Sequence, residues 1–398
     1  MTIGKAKDTY IIGAARTAIG RFLGGLAALR APELGAVAIK GALERAGIKP
    51  EDVDGVIMGN VCPAGIGQAP ARQAAVKSGL PVEVPALTVN KVCGSGMIAV
   101  ALACQQIKAG DARLVIAGGQ ESMSNVPYYL KTLRGGQKMG DAQLQDGMIY
   151  DGIWDYFGDV HMGALGDFTA HNSNISREEQ DRWALRSHQN AVRAIKEGKF
   201  KAEIVPVQIP QKKGEPLIFE TDEGPRADTT LEKLASLKPA FTKDGTVTAG
   251  NASSINDGAA ALAIAREDFV KERGITPLAR IVAYATGSVE PKMLFYAPIK
   301  AVQTLLKVQG VDINYFDLIE INEAFAAQVL ADGKELGWDE SRVNVNGGAI
   351  ALGHPIGCSG ARILVTLIYA LKDRGLKKGL AAICLGGGEA VAMSIELV

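Results

Sequence analysis

Cysteine, histidine and tryptophan are scarce in this chain of 398 residues, at five, four and three. The cysteines, Cys62, Cys93, Cys104, Cys358 and Cys384, are odd in number and widely scattered in a chain too large to need covalent staples. A disulfide framework is therefore excluded, and free thiols in a reducing cytoplasm are expected. Neither sign of charge is in excess: 43 Lys+Arg face 43 Asp+Glu, with no basic block, so the counterion release that drives nucleic-acid binding is missing. Long hydrophobic runs are missing too. The longest stretch free of Asp, Glu, Lys and Arg, residues 343–361, is interrupted by Gly347, Gly348, Gly353, Pro355, Gly357 and Gly360, which rules out a membrane span there. Residues 1–10 have no apolar run behind their lysines, so neither a secretory signal nor a transit peptide is expected.

What is present is 47% apolar side chains and 47 glycines, the composition of a soluble globular chain of two or three domains. Short Val/Ile/Leu-rich runs at 11–14, 56–59, 87–90 and 114–117 alternate with helical-period stretches at 31–46, 72–78 and 95–108. Such alternation predicts α/β architecture with a mostly parallel sheet. From about 127 to 245 charge and aromatics rise (Tyr128, Tyr129, Trp154, Tyr156, Phe157, Trp183), the mark of an insertion. Within it, Ser176 and Glu179 form a capping box that opens a charged helix. The apolar rhythm resumes at 259–265.

The last third repeats the first. Residues 53–60 resemble Phe316-Asp-Leu-Ile-Glu-Ile-Asn322, strand 87–90 corresponds to 343–346, and Cys93-Gly-Ser-Gly96 corresponds to Gly357-Cys-Ser-Gly360. Both tetrads open a helix that leads to a strand ending in glycines, at Gly118 and Gly119 and at Gly386 and Gly387. Asp54 precedes Cys93 by 39 residues and Asp317 precedes Gly357 by 40, so the resemblances keep register. Two copies of one α/β domain follow, with a polar segment inserted after the first.

In open α/β sheets ligands bind beyond the carboxyl ends of the strands, where Cys93, Asn322, His354 and Cys384 all fall. A thiol at Cys93, between a strand and a helix start, gains from unpaired N–H groups and the helix dipole, which favour thiolate. The bland alternative is a small buried hydrophobe. His354 is a candidate base or a polar helix cap, and Asn322 holds a water against developing negative charge or caps a helix. Cys384 precedes three glycines whose amides can approach a ligand. Two thiols, one base and amide donors, without a carboxylate pair, suit acyl transfer through a thioester followed by proton abstraction beside a carbonyl. A rival reading makes Cys93, His354, Cys358 and Cys384 a zinc site, although no Cys-x-x-Cys knuckle is present. A dinucleotide fold lacks its Gly-x-Gly-x-x-Gly after the first strand.

Val89-Asn-Lys-Val-Cys-Gly-Ser-Gly96, Gly250-Asn-Ala-Ser253 with Asn256-Asp-Gly258, Asn322-Glu-Ala-Phe325, Asn344-Val-Asn-Gly-Gly-Ala349, Gly353-His-Pro-Ile-Gly357 and Cys384-Leu-Gly-Gly-Gly388 resemble, in order and along the whole chain, the motifs of the thiolase family. His161-Met-Gly163 resembles its short-chain, acetyl-transferring branch. The resemblance implies the thiolase fold, duplicated βαβαβαββ domains in five αβαβα layers. Its domains would span 1–122 with 246–272, 123–245 as a loop domain for CoA and oligomer contacts, and 273–398. It implies reversible condensation of two acetyl-CoA to acetoacetyl-CoA and CoA in a homotetramer or homodimer, with no cofactor, metal, nucleic acid or membrane. Cys93 would carry the acyl group, His354 would activate it, and Cys384 would serve as acid/base at the α-carbon. Asn322, through a water, and His354 would form one oxyanion hole, and the amides of Cys93 and Gly386 the other. Ser253, Arg226, Met162, Phe241, Phe325 and Ala249 would touch CoA or line the acyl pocket. Other readings are a longer-chain 3-ketoacyl-CoA thiolase, a ketoacyl synthase, which would carry histidine in place of Cys384, and a non-catalytic thioester- or lipid-binding relative. Two departures stand out: Glu389-Ala390, which puts a carboxylate beside the second oxyanion region, and Ser254, where the family usually has glycine.

Overall fold

The computed structural model describes residues 2–5 and 9–398, so part of the segment 1–10 considered above lies outside the described residues. In the first half, strands β1 (Thr9–Arg16), β2 (Gly55–Gly59), β3 (Ala86–Val89), β4 (Leu114–Ser122) and β5 (Asn256–Arg266) lie in the order β3-β2-β4-β5-β1. From β1 the sheet continues through β6 (Ala279–Ser288), β7 (Leu318–Ile321), β8 (Lys378–Leu385) and β9 (Glu389–Leu397) in the order β6-β9-β8-β7. The second order mirrors the first about a short seam where Ile11 pairs with Ala279 and Tyr10 with Arg280.

The mirror breaks at 343–346, expected as the partner of β3. There Val343 makes a single bridge to Ile319, and Asn344, at φ 47°, turns the chain away. The Asn344 side chain replaces the missing ladder, accepting from the Ile321 amide and donating to its carbonyl, both at 2.9 Å. The mostly parallel sheet is also corrected. Along this path only β2–β3, β2–β4 and β7–β8 are parallel, and the other pairs are antiparallel. Parallel neighbours need a crossover helix, whereas β8 returns directly into β9 through three glycines.

Alternation along the strands sorts the core into layers. On β5, Ala260, Leu262 and Ile264 face one cluster, and Ala259, Ala261, Ala263 and Ala265 face another. The second cluster is covered by α1 (Ala31–Ala46). The first is a central layer made by α2 (Ser95–Ala109) and α3 (Ile356–Arg374), closed on its far side by Ile383, Val391 and Met393 of β8 and β9. The helices Ala297–Gln309 and Ala326–Leu336 cover the remaining face, completing five layers. Among the described residues one stretch, Val92–Ala109, which contains α2, is long and apolar enough to cross a membrane, and it lies in this central layer.

The glycines of the two tetrads explain how α2 and α3 approach. A Cβ on Gly96 would lie 2.7 Å from the Ala361 nitrogen, and one on Gly360 would lie 2.6 Å from that of Met97. Only glycine allows the two helix starts to touch, and this contact carries Cys93 and His354 toward each other. The inserted segment opens its long helix Arg177–Lys196 with the expected Ser176–Glu179 capping box. It is bound to β1 through fully buried Arg16, whose Nε donates to Glu203 at 2.6 Å and whose Nη1 and Nη2 donate to Asp222 at 2.7 and 2.9 Å.

Candidate active site

Cys93 sits in the tight turn between β3 and α2. Val92 before it has φ 44°, a left-handed conformation that costs a β-branched residue on the order of 1–2 kcal/mol. The turn is held by Ser95, whose hydroxyl donates to the Val92 carbonyl at 2.6 Å and accepts from the Lys91 amide at 2.8 Å. Asn90 Oδ1 accepts from the Val92 amide at 3.0 Å. The sulfur is thereby presented beyond the strand end, half-buried.

His354 comes from the equivalent strand-to-helix passage of the second half. Its amide donates to Asn256 Oδ1 at 2.9 Å, and Gly353, at φ 110°, has no room for a Cβ against the Asn256 side chain. The ring Nδ1 lies 2.6 Å from Ser359 Oγ. Asn322 Nδ2 lies 3.5 Å from both ring nitrogens, and the buried Asn322 Oδ1 has no hydrogen-bond partner among the described residues. Asn322 is not a helix cap, since the following helix is capped at Phe325 without a side-chain bond. Cys384, near the end of β8, is buried with Phe325, Phe295 and Leu294.

One cavity of about 230 Å³ gathers Cys93, His354, Cys384 and Gly386 on its wall. Met162, Phe241, Ser253 and Phe325 also line it, so eight of the residues read from the sequence share one space. Its apolar side is stiff: Phe325 meets Phe241 and Phe295 edge-on at 6.1 and 5.1 Å between ring centroids, and His161 stacks on Phe241 at 4.5 Å. Asn322 stands behind His354. Ala249 is exposed on a turn outside the cavity. Arg226 lies on a separate groove, where its amide and guanidinium each reach the His188 ring at 3.2 Å.

The charge state differs from the one expected. Burial pushes the Cys93 thiol up to about 12, with the Gly386 N–H acting in the opposite direction, so the helix start does not produce a resting thiolate. Desolvation outweighs the backbone N–H groups of Gly386 and Cys93 that favour the charged form. Burial, aided by the Arg362 charge, lowers His354 to about 3, leaving a neutral imidazole able to accept a proton. Cys384 is driven well above the ordinary thiol value by burial, the neighbouring Cys93 sulfur and Asp332. Neutral thiols beside a neutral base are what the site offers.

Sequence reasoning missed three supports. Ser359 holds the His354 ring, and its aligned counterpart Ser95 in the first tetrad was the available signal. Asn256, present in a quoted motif, holds the His354 backbone. Glu121 is buried at the end of β4 and accepts from the amides of Val61 at 2.8 Å, Cys62 at 3.2 Å and Gly357 at 2.9 Å, and from Asn60 Nδ2 at 2.6 Å. It joins a loop of the first half to the helix start of the second. A charged residue ending an apolar strand was its signal.

The two departures are resolved locally. Glu389 does not line the cavity; its Oε2 lies 2.5 Å from Lys91 Nζ. Ser254 does line it, and its hydroxyl donates to Asn256 Oδ1 at 2.9 Å. Cys358 and Cys104 pack in the central layer, and Cys62 packs with Met123, Met148 and Ile356. Among the described residues no three His, Cys, Asp or Glu side chains are placed to share a metal ion.

Comparisons with known proteins show what the whole chain is similar to. Residues 9–268 match the family model "Thiolase, N-terminal domain" and residues 275–397 match "Thiolase, C-terminal domain". The acetyl-CoA acetyltransferase of Pseudomonas aeruginosa is 55% identical over 389 residues, 98% of this chain and 99% of that protein. The acetyl-CoA acetyltransferase of Escherichia coli K12 is 53% identical over 391 residues, with the same coverage. The crystal structure of the Bacillus anthracis acetyl-CoA acetyltransferase superposes with a TM-score of 0.96 at 45% identity, covering 98% of this chain and 99% of that one.

Proposed function

The chain belongs to the thiolase family, and from that premise we infer that it catalyses the reversible condensation of two acetyl-CoA to acetoacetyl-CoA and CoA. The observation that carries this reading is the single cavity holding Cys93, His354, Cys384 and Gly386 between the mirrored halves.

In our reading, the neutral His354 takes the Cys93 proton as the sulfur attacks the acetyl thioester, and returns it to the departing CoA sulfur. The products are S-acetyl-Cys93 and CoA, with the imidazole neutral again. The Gly386 amide, whose N–H opposes the burial-driven rise of the Cys93 thiol, would meet the oxyanion together with the Cys93 amide. An acetyl thioester is a very weak carbon acid, so the second half-reaction needs a strong base and a stabilised enolate. Cys384 answers the first need, because a thiol whose acidity burial suppresses becomes a stronger base once deprotonated. His354 accepts the Cys384 proton, and Cys384 then takes the α-proton of the second acetyl-CoA. The resulting imidazolium and a water held by Asn322 face the enolate oxygen. When the new carbon–carbon bond expels Cys93, the imidazolium returns its proton and the enzyme is restored. One cavity serves both substrates in turn, which requires ping-pong kinetics.

The rigid wall of Phe241, Phe295 and Phe325 favours a short acyl chain over the longer 3-ketoacyl reading. We further propose CoA contacts at Ser253, Met162, Ala249 and Arg226. The domain spans given above, a cytoplasmic location suited to five free thiols, and assembly as a homotetramer or homodimer through the 123–245 segment also stand as proposals. The test is thiolysis of acetoacetyl-CoA compared with a six-carbon 3-ketoacyl-CoA. Strong preference for acetoacetyl-CoA is expected, and equal or better use of the longer substrate would overturn the short-chain reading.

A further inference from the structure

The pair Lys91–Glu389 joins residues 298 positions apart, one from each half of the molecule, at the point where the two halves enclose the reacting sulfur. Lys91 belongs to the turn that presents Cys93. Glu389 opens β9 and closes the glycine turn that begins at Gly386, in which Gly387 and Gly388 have φ 87° and 84°. Its second oxygen accepts from Ser288 Oγ at 3.3 Å.

Between these anchors the two turns touch. A Cβ on Gly94 would lie 2.5 Å from Leu385 Cδ2, and one on Gly386 would lie 3.3 Å from Val92 Cγ1. The distance from the Cys93 sulfur to the Gly386 N–H is therefore set across the seam between halves, by a left-handed valine turn on one side and a run of left-handed glycines on the other. Neither backbone is stiff by its own preference: Val92 is strained, and glycine is permissive.

We propose that Lys91 and Glu389 are a positioning pair for the condensation reaction, a clasp that holds the Cys93 turn and the Gly386 turn at the spacing the oxyanion contact requires. This inference rests on the thiolase reading above. Magnitudes separate it from a merely structural role. An ion pair as exposed as this one, with side chains 27% and 36% accessible, adds little to global stability, so losing it leaves the fold intact. A displacement of about 1 Å between reacting groups, by contrast, can cost about a hundredfold in rate, and releasing a clasp moves them by less.

The experiment compares wild type, Lys91→Met, Glu389→Gln, the double variant, and the reversed pair Lys91→Glu with Glu389→Lys. Condensation is assayed at low and high ionic strength, and circular dichroism melting checks the fold. Each single variant is expected to lose about three- to tenfold in kcat with KM for acetyl-CoA changed less than about twofold. The double is expected to lose no more than either single, because both remove one interaction. The reversed pair should recover most of the loss, and added salt should slow the wild type more than the singles. Singles with wild-type kcat, additive losses, or a folded reversed pair that recovers nothing would each overturn the clasp. A wild-type chain that makes no acetoacetyl-CoA in the same series would instead overturn the functional reading, so the two failures are distinguishable.

Discussion

The imidazole Nδ1 of His354 lies 2.6 Å from the hydroxyl of Ser359, and that hydroxyl donates its proton to the Pro355 carbonyl at 2.9 Å. With its one proton committed, Ser359 can only accept from His354, so Nδ1 carries the hydrogen and Nε2 is left as the base. Ser95, aligned with Ser359 in the duplicated tetrad, spends its proton the same way on Val92. One inherited cap thus shapes the nucleophile turn in one half and fixes a tautomer in the other. Ser359→Ala is expected to lower kcat by about ten- to hundredfold, part of what a well-placed general base contributes, with KM nearly unchanged. Unaltered kcat in the folded variant would remove Ser359 from the account.

Cys384 is assigned to the α-carbon and Cys93 to the acyl group, so their variants should fail differently. Cys384→Ser should lose condensation by orders of magnitude while retaining exchange of the acetyl group between acetyl-CoA and labelled CoA. Equal losses in both reactions would refute the division of labour.

Cys93 is the half-buried cysteine, and the other four are buried. Iodoacetamide should therefore label it first, and acetyl-CoA should protect it. Because its thiol is pushed up to about 12, the rate of labelling should keep rising with pH through 9. A plateau reached near pH 7 would reveal a resting thiolate that desolvation here opposes.

His354 titrates at about 3 in the folded chain, below its ordinary value of 6.5. Below pH 6.5 the unfolded chain binds a proton that the folded chain refuses, so this stabilising contribution is present above 6.5 and is lost as pH falls toward 3. At about 1.4 kcal/mol per pH unit, roughly 3 kcal/mol should disappear between pH 6.5 and 4. Denaturant midpoints of wild type and His354→Gln across that range should show the variant losing less stability on acidification. Parallel curves would contradict the burial argument.

The buried Arg16, Glu203 and Asp222 join the inserted segment to β1. Removing one charge strands the others, so Glu203→Ala should destabilise the protein by about 3–5 kcal/mol. A melting point unchanged from wild type would show that the insertion is held by other contacts.

The duplication was readable because the tetrads, the strand-end glycines and the spacing from Asp54 and Asp317 repeat in register. It puts Cys93, His354 and Cys384 at equivalent strand ends of the two halves. Strand direction was not readable: apolar runs report burial on both faces but not polarity, and β5 and β9 enter antiparallel without a crossover helix. Residues 343–346 carry strand-like composition, yet Asn344 satisfies the Ile321 backbone by itself and turns the chain away. The protonation of Cys93 was hidden for a related reason. Its sequence neighbours announce a helix start, while the apolar walls that desolvate the sulfur come from residues as distant as Ile356 and Leu385. Glu389 showed as a departure, but its partner Lys91 is 298 positions away and only folding brings them together.

The central claim, that an acyl group is transferred to Cys93 in a cavity shared by both halves, is tested most directly by acid-quenching the enzyme with acetyl-CoA and mapping the modified peptide by mass spectrometry. One acetyl group on the peptide bearing Cys93 is expected, abolished in Cys93→Ala and discharged by added CoA. An unmodified Cys93, or an acetyl group resident on Cys384, would contradict the account.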